Sequence, residues 1–200
     1  MVTNKDIDSS TVTMRADGTN KKVVYKAVDG VAFAPSWSPN DEWITFGFGS
    51  FLEGRRNNPA KIIMVRRDGT EAQDLTSGMP NAGFPSWSPD GSRILFTRKQ
   101  DENFDIFTIN PDGTEVRRMT TFPANDAHAV WSQDGKYILW NSGEYGFKDE
   151  AALYDNSFQP YGSIWIMNAD GSGKRQLTDS HWEDAMPAFV PNTITAKVAK

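Results

Sequence analysis

Apolar residues in this chain fall in short runs that alternate with polar ones, and no stretch sustains the 3.6-residue period of an amphipathic helix. The runs come in pairs around an Asp-Gly step. Thr11-Val12-Thr13-Met14 and Lys22-Val23-Val24-Tyr25 flank Asp17-Gly18-Thr19, and Ile62-Ile63-Met64-Val65 and Ala72-Gln73-Asp74-Leu75 flank Asp68-Gly69-Thr70. The same arrangement surrounds Asp112-Gly113-Thr114 and Asp170-Gly171-Ser172. Asp-Gly between runs rich in β-branched and aromatic residues predicts a hairpin, because both residues tolerate the positive φ of a tight turn.

A second phrase interleaves with the first. Pro35-Ser36-Trp37-Ser38-Pro39, Pro85-Ser86-Trp87-Ser88-Pro89-Asp90-Gly91 and Ala129-Val130-Trp131-Ser132-Gln133-Asp134-Gly135 are each followed by an apolar run, and Pro187-Ala188-Phe189-Val190 is a faded copy. Each unit therefore predicts four strands, A (Trp-Ser), B, C and D, with tight turns between A and B and between C and D. Four-stranded antiparallel units repeating every 40–50 residues or so are the sequence form of a β-propeller. We expect an all-β chain of one domain over residues 1–200, with complete blades near 31–76, 82–121 and 127–178. Residues 11–26 supply only C and D, and 186–199 only A and B. Paired, these halves would complete a fourth blade and close the ring, covering the open ladders that otherwise invite association.

Composition narrows the partners. A net charge of −5 with scattered basic pairs argues against nucleic acid, whose binding needs clustered Lys and Arg. The absence of cysteine removes disulfides and thiolate chemistry. No apolar run approaches the ~18 residues of a membrane span, and Met1–Asp6 lacks the apolar stretch of a signal peptide.

The Ser-Trp-Ser-Pro-Asp-Gly element at 86–91 and the Ile-Asn-Pro-Asp-Gly-Thr element at 109–114 resemble the TolB-type, WD-like propeller repeat. The resemblance covers nearly the whole chain and implies the fold far more than a function; it also suggests a periplasmic or secreted setting. Propellers of this family usually carry about six or more blades, often beside enzymatic domains. A fragment, a small ring, or a half that assembles with a second copy all remain open. A weaker similarity is to oligogalacturonate lyase propellers, which carry histidine-rich metal sites at the mouth. Asp126-Ala127-His128-Ala129-Val130-Trp131-Ser132 resembles part of such a site, although this chain has two histidines in all.

Propeller topology sends both tight turns to one rim and the variable B–C and D–A connections to the other. The insertions, 49–59 and 141–162, are of the second kind, so that rim is the functional candidate. Arg55 and Arg56 suit a carboxylate there. Tyr145, Phe147, Lys148, Asp149, Glu150, Tyr154 and Tyr161, with Trp182 nearby, suit a sugar or peptide; the same aromatics also suit a loop anchored to its own blade. At the channel mouth, Asp126, His128, His181, Glu183 and Asp184 form a candidate site for a divalent cation (Ca, Mn or Zn), with strict alternation placing Asp126 and His128 on one side of the strand. The serines of the Trp-Ser phrase recur with the blade and are expected to serve strand ends rather than catalysis.

Three functions follow. The first is a non-catalytic scaffold engaging a protein or carbohydrate through the insertion-bearing rim. The second is a metal-dependent lyase-like enzyme, with Lys148 or His181 as base. The third is a self-assembling propeller that exchanges strands as a homo-oligomer.

Overall fold

The computed structural model describes residues 9–28, 30–49, 59–79, 81–100, 103–143, 162–179, 184 and 186–190. Fourteen strands follow one another in these residues. β1 (Ser10–Thr13) and β2 (Lys22–Lys26) form a two-stranded sheet. β3 (Val31–Trp37), β4 (Trp43–Gly49), β5 (Lys61–Arg66) and β6 (Gln73–Asp74) form the first four-stranded sheet, in chain order. β7 (Ala82–Trp87), β8 (Ile94–Gln100), β9 (Asn103–Ile109) and β10 (Arg117–Arg118) form the second. β11 (Asp126–Trp131), β12 (Tyr137–Ser142), β13 (Ser163–Asn168) and β14 (Arg175–Gln176) form the third. Every pairing is antiparallel. The expected all-β architecture of four-stranded antiparallel blades is what the chain forms. Residues 186–190 carry no strand, and 191–200, which would supply the closing B strand, lie outside the described residues.

The repeated serines are structural, as expected. Ser38, Ser88 and Ser132 are all buried. Each hydroxyl donates to the turn residue two positions on, Asn40, Asp90 or Asp134, at 2.7, 2.6 and 2.7 Å. Each also accepts from the backbone N–H that opens strand B, at Trp43, Arg93 or Tyr137, at 2.9 Å in all three blades. One side chain thus ties both ends of the A–B turn.

Asp and Gly both tolerate the positive φ of a tight turn, and in these turns they do not both take it. Only the glycines do so, at +82, +89, +84 and +86° for Gly18, Gly69, Gly113 and Gly171. The aspartates act as acceptors: Asp17, Asp68 and Asp112 each take the backbone N–H and the hydroxyl of the threonine two residues on. These bonds favour the ionised carboxylate and hold each pKa below its ordinary value. Strand D is shorter than the sequence pattern suggests, and a threonine after it compensates. Thr76, Thr120 and Thr178 accept through their hydroxyls from the N–H of Ile62, Ile106 and Ile164.

The core lies between blades. Ile62, Met64 and Leu75 pack with Ile94, Phe96, Phe107 and Ile109 across the first boundary. Leu95, Ile106 and Met119 pack with Ile138, Trp140, Trp165 and Met167 across the next. Val24 and Ala27 of the N-terminal hairpin pack with Ile44, Phe46, Ile63 and Val65. Strand alternation explains this: in β8, Ile94 and Phe96 face one neighbour while Leu95 faces the other. Central strands are therefore apolar on both faces, and each fully buried side chain contributes about 1.5–3 kcal/mol.

Candidate functional site

Strand A of each blade carries the same irregularity. Register shifts between Phe33 and Ser36, Gly83 and Ser86, and Ala127 and Val130 mark a β-bulge in β3, β7 and β11. The bulged residues Ala34, Phe84 and His128 have φ of +48, +53 and +53°, and Met186 in the fourth copy has +52°. Positive φ is uncommon for residues with a Cβ, and bulges re-aim the side chain they carry. These four residues, together with Pro35, Pro85, Pro187 and their neighbours, line one cavity of about 270 Å³. Its wall is mainly apolar.

Aromatic contacts hold the cavity wall. The rings of Phe84 and His128 meet edge to face at 4.3 Å, and Phe33 meets Phe84 at 5.5 Å. Gly47 leaves the space that the Phe33 ring fills, because a Cβ there would overlap it. His128 Nδ1 lies 3.1 Å from Asn141 Oδ1. Burial lowers the His128 pKa and the Asn141 contact offsets part of that, so the ring is neutral at pH 7.

Asp126 sits two residues earlier in the same strand but in different surroundings. It is fully buried, and its Oδ1 accepts from Trp140 Nε1 at 3.2 Å. Its Oδ2 and the Ser142 hydroxyl are both buried without a hydrogen-bond partner. Desolvation raises the Asp126 pKa to about 7, against the pull of the polar groups of Ser142, Thr120 and Trp140. Asp105, also fully buried, is held by Arg118 at 2.7 Å.

The expectation that strict alternation places Asp126 and His128 on one side is corrected here, because the bulge at His128 interrupts it. Asp184 occupies the position of Asp126 in the next repeat, and its N–H donates to the Gly162 carbonyl at 2.9 Å. Among the described residues, no three His, Asp or Glu side chains stand together as a metal-binding group. Asp126 is engaged behind Trp140 and His128 beside Asn141, so the described donor set does not fit a divalent cation. His181 and Glu183 lie outside the described residues, as do Arg55, Arg56, Tyr145, Phe147, Lys148, Asp149, Glu150, Tyr154, Tyr161 and Trp182. No helix among the described residues is long and apolar enough to cross a membrane.

The residues that sequence reasoning missed are Ala34, Phe84 and Met186. Their signal was available in the repeats. Around them the Trp, Ser and turn residues recur, while the bulge position changes from Ala to Phe to His to Met.

Four-stranded sheets whose A strands line a shared cavity and whose faces pack blade against blade define a β-propeller. Residues 2–159 match the model of the TolB beta propeller domain, and the chain belongs to that family. The structure is similar to TolB from Acinetobacter baumannii, with a TM-score of 0.64 and 23% identity over 85% of this chain and 37% of that one. It is also similar to an oligogalacturonate lyase in complex with manganese, with a TM-score of 0.60 and 18% identity over 86% of this chain and 48% of that one. In sequence, 93 residues are 28% identical to the uncharacterized peptidase YuxL of Bacillus subtilis (strain 168), covering 46% of this chain and 13% of the relative. The chain thus spans well under two thirds of each of these proteins.

Proposed function

We infer that this propeller is a non-catalytic binding module whose channel takes an apolar side chain of a protein partner. The observation that supports this reading is the row of four positive-φ residues, three of them in β-bulges, around one cavity. The backbone distortion is common to all four repeats and belongs to the fold, whereas the side chain it presents differs each time. A scaffold that keeps its geometry and varies the presented group is suited to recognition. The lining of Phe84, Met186 and three prolines favours an apolar ligand, and neutral His128 with Asn141 offers one polar anchor.

Panning a random peptide library against the full chain tests the reading. Selected peptides should present Leu, Phe or Met and bind Met186→Asp at least about tenfold more weakly, the loss expected for 1.4 kcal/mol. Met186 is 72% exposed, so this change leaves the fold standing. Equal binding to wild type and variant, or no enrichment of apolar residues, would sink the idea.

A further inference from the structure

Phe84 on β7 and His128 on β11 line the same cavity, and their rings meet where the second and third sheets adjoin, a boundary internal to the described chain. Two polar groups on this stretch of wall have no partner among the described residues. The first is His128 Nε2. The contact of Nδ1 with Asn141 Oδ1 at 3.1 Å assigns the tautomer: a carboxamide oxygen only accepts, so Nδ1 carries the proton of the neutral ring and Nε2 is left as an acceptor.

The second is the Ser86 hydroxyl. Ser86 pairs with Leu95 across the β7–β8 ladder, and opposed residues of a ladder share a face. Leu95 packs toward the third sheet, so Ser86 lies on the His128 side of β7. Its hydroxyl makes no hydrogen bond among the described residues. Ser86 and His128 are both half-buried, which leaves them within a ligand's reach. A purely apolar side chain fills the cavity but leaves both groups unpaired. An indole N–H only donates, whereas a phenol oxygen donates one hydrogen bond and accepts another.

We propose that the side chain this cavity prefers is a tyrosine of the protein partner, with its ring against Phe84 and Met186 and its hydroxyl donating to His128 Nε2 and accepting from Ser86. The proposal rests on the binding reading above and narrows its ligand. The ring gains an aromatic contact from Phe84 and a sulfur–aromatic contact from Met186. His128 is then the specificity residue, because polar groups placed to meet a hydroxyl discriminate against the analogue that lacks it. Asn141 is a positioning residue that fixes the imidazole tautomer.

Calorimetric titration of the full chain tests this, using a peptide from the panning above with its anchor replaced in turn by Tyr, Phe, O-methyltyrosine and Trp. Tyr should bind about tenfold more tightly than Phe. O-Methyltyrosine, which keeps the oxygen but cannot donate, should bind no better than Phe. His128→Phe should bind the Tyr and Phe peptides equally, and the backbone suits the change, since Phe84 already holds the same φ of +53° in the neighbouring blade. Ser86→Ala should reduce the advantage of Tyr about threefold. If Tyr gains nothing over Phe, or keeps its advantage in His128→Phe, the proposal fails while the apolar binding reading stands. Trp binding as tightly as Tyr would overturn the choice of a phenol. If panning yields no apolar peptide sensitive to Met186→Asp, both readings fall together.

Discussion

The tight turns and the buried start of β11 are built from the same residue types with opposite results. On the turn rim, the turn aspartates meet hydroxyls and backbone N–H groups within two residues of themselves, and their carboxyls are held below the ordinary range. At the start of β11, Asp126 is cut off from water, has one oxygen without a partner, and carries a pKa raised to about 7. Local chemistry satisfies the first group and tertiary packing strands the second. A group whose polar needs are met within its own turn serves shape alone. Positive φ occurs both in the turns, at Asn20, Asp41, Glu71 and Glu115, and at Ala34, Phe84, His128 and Met186, but only the second group lines a shared cavity.

The comparison breaks first along the pH axis. A carboxyl whose pKa rises from 3.8 to about 7 on folding holds its proton in the native state after the unfolded chain has lost it. Stability should therefore fall as pH rises from about 4 to about 7, by an amount on the order of 4 kcal/mol, and level off above that. Asp126→Asn should remove this fall, as calorimetry between pH 4 and 8 would show. An unchanged slope would mean that Asp126 is not the stranded group. The rim aspartates have the opposite sign: their depressed values stabilise the fold above about pH 4, and that contribution is lost as the pH falls further.

A smaller effect is expected at the turn rim. Ser88→Ala removes the hydroxyl that joins Asp90 to the Arg93 N–H, and should cost about 2 kcal/mol in denaturant unfolding. A cost within experimental error would show that water replaces the serine. The smallest effect separates two tryptophans of the same repeat. Trp87 Nε1 donates to the Thr45 hydroxyl of the preceding blade at 3.0 Å. Trp131 faces Leu95 at the equivalent place, and its buried Nε1 has no partner. Thr45→Val should bring Trp87 to the state of Trp131 at a cost of about 1 kcal/mol. If stability is unchanged, the indole bond contributes nothing net.

Much of the fold was legible because its signals are local. The Asp-Gly steps, the strand alternation and the serine-capped turns each act within a few residues, and repetition lifted them above chance. The demotion of the Trp-Ser serines from chemistry to turn geometry also followed from repetition, and their bonds to Asn40, Asp90 and Asp134 agree with it. Less of the candidate site was legible. Alternation predicts that Asp126 and His128 share a side, but the bulge at His128 arises where strand A meets its neighbours around the channel. Ala, Phe and Met carry no propensity for positive φ that would announce it, and the enrichment of His there is too weak to do so alone.

The repeat, the strand order within a blade and the turn chemistry are properties of the amino-acid sequence alone, because near neighbours decide them. Which aspartate is buried and which side chains line the cavity were decided by the tertiary structure. Those properties depend on what a distant blade places opposite, and the Trp-Ser step shared by Trp87 and Trp131 takes different fates when that opposite residue is a threonine or a leucine.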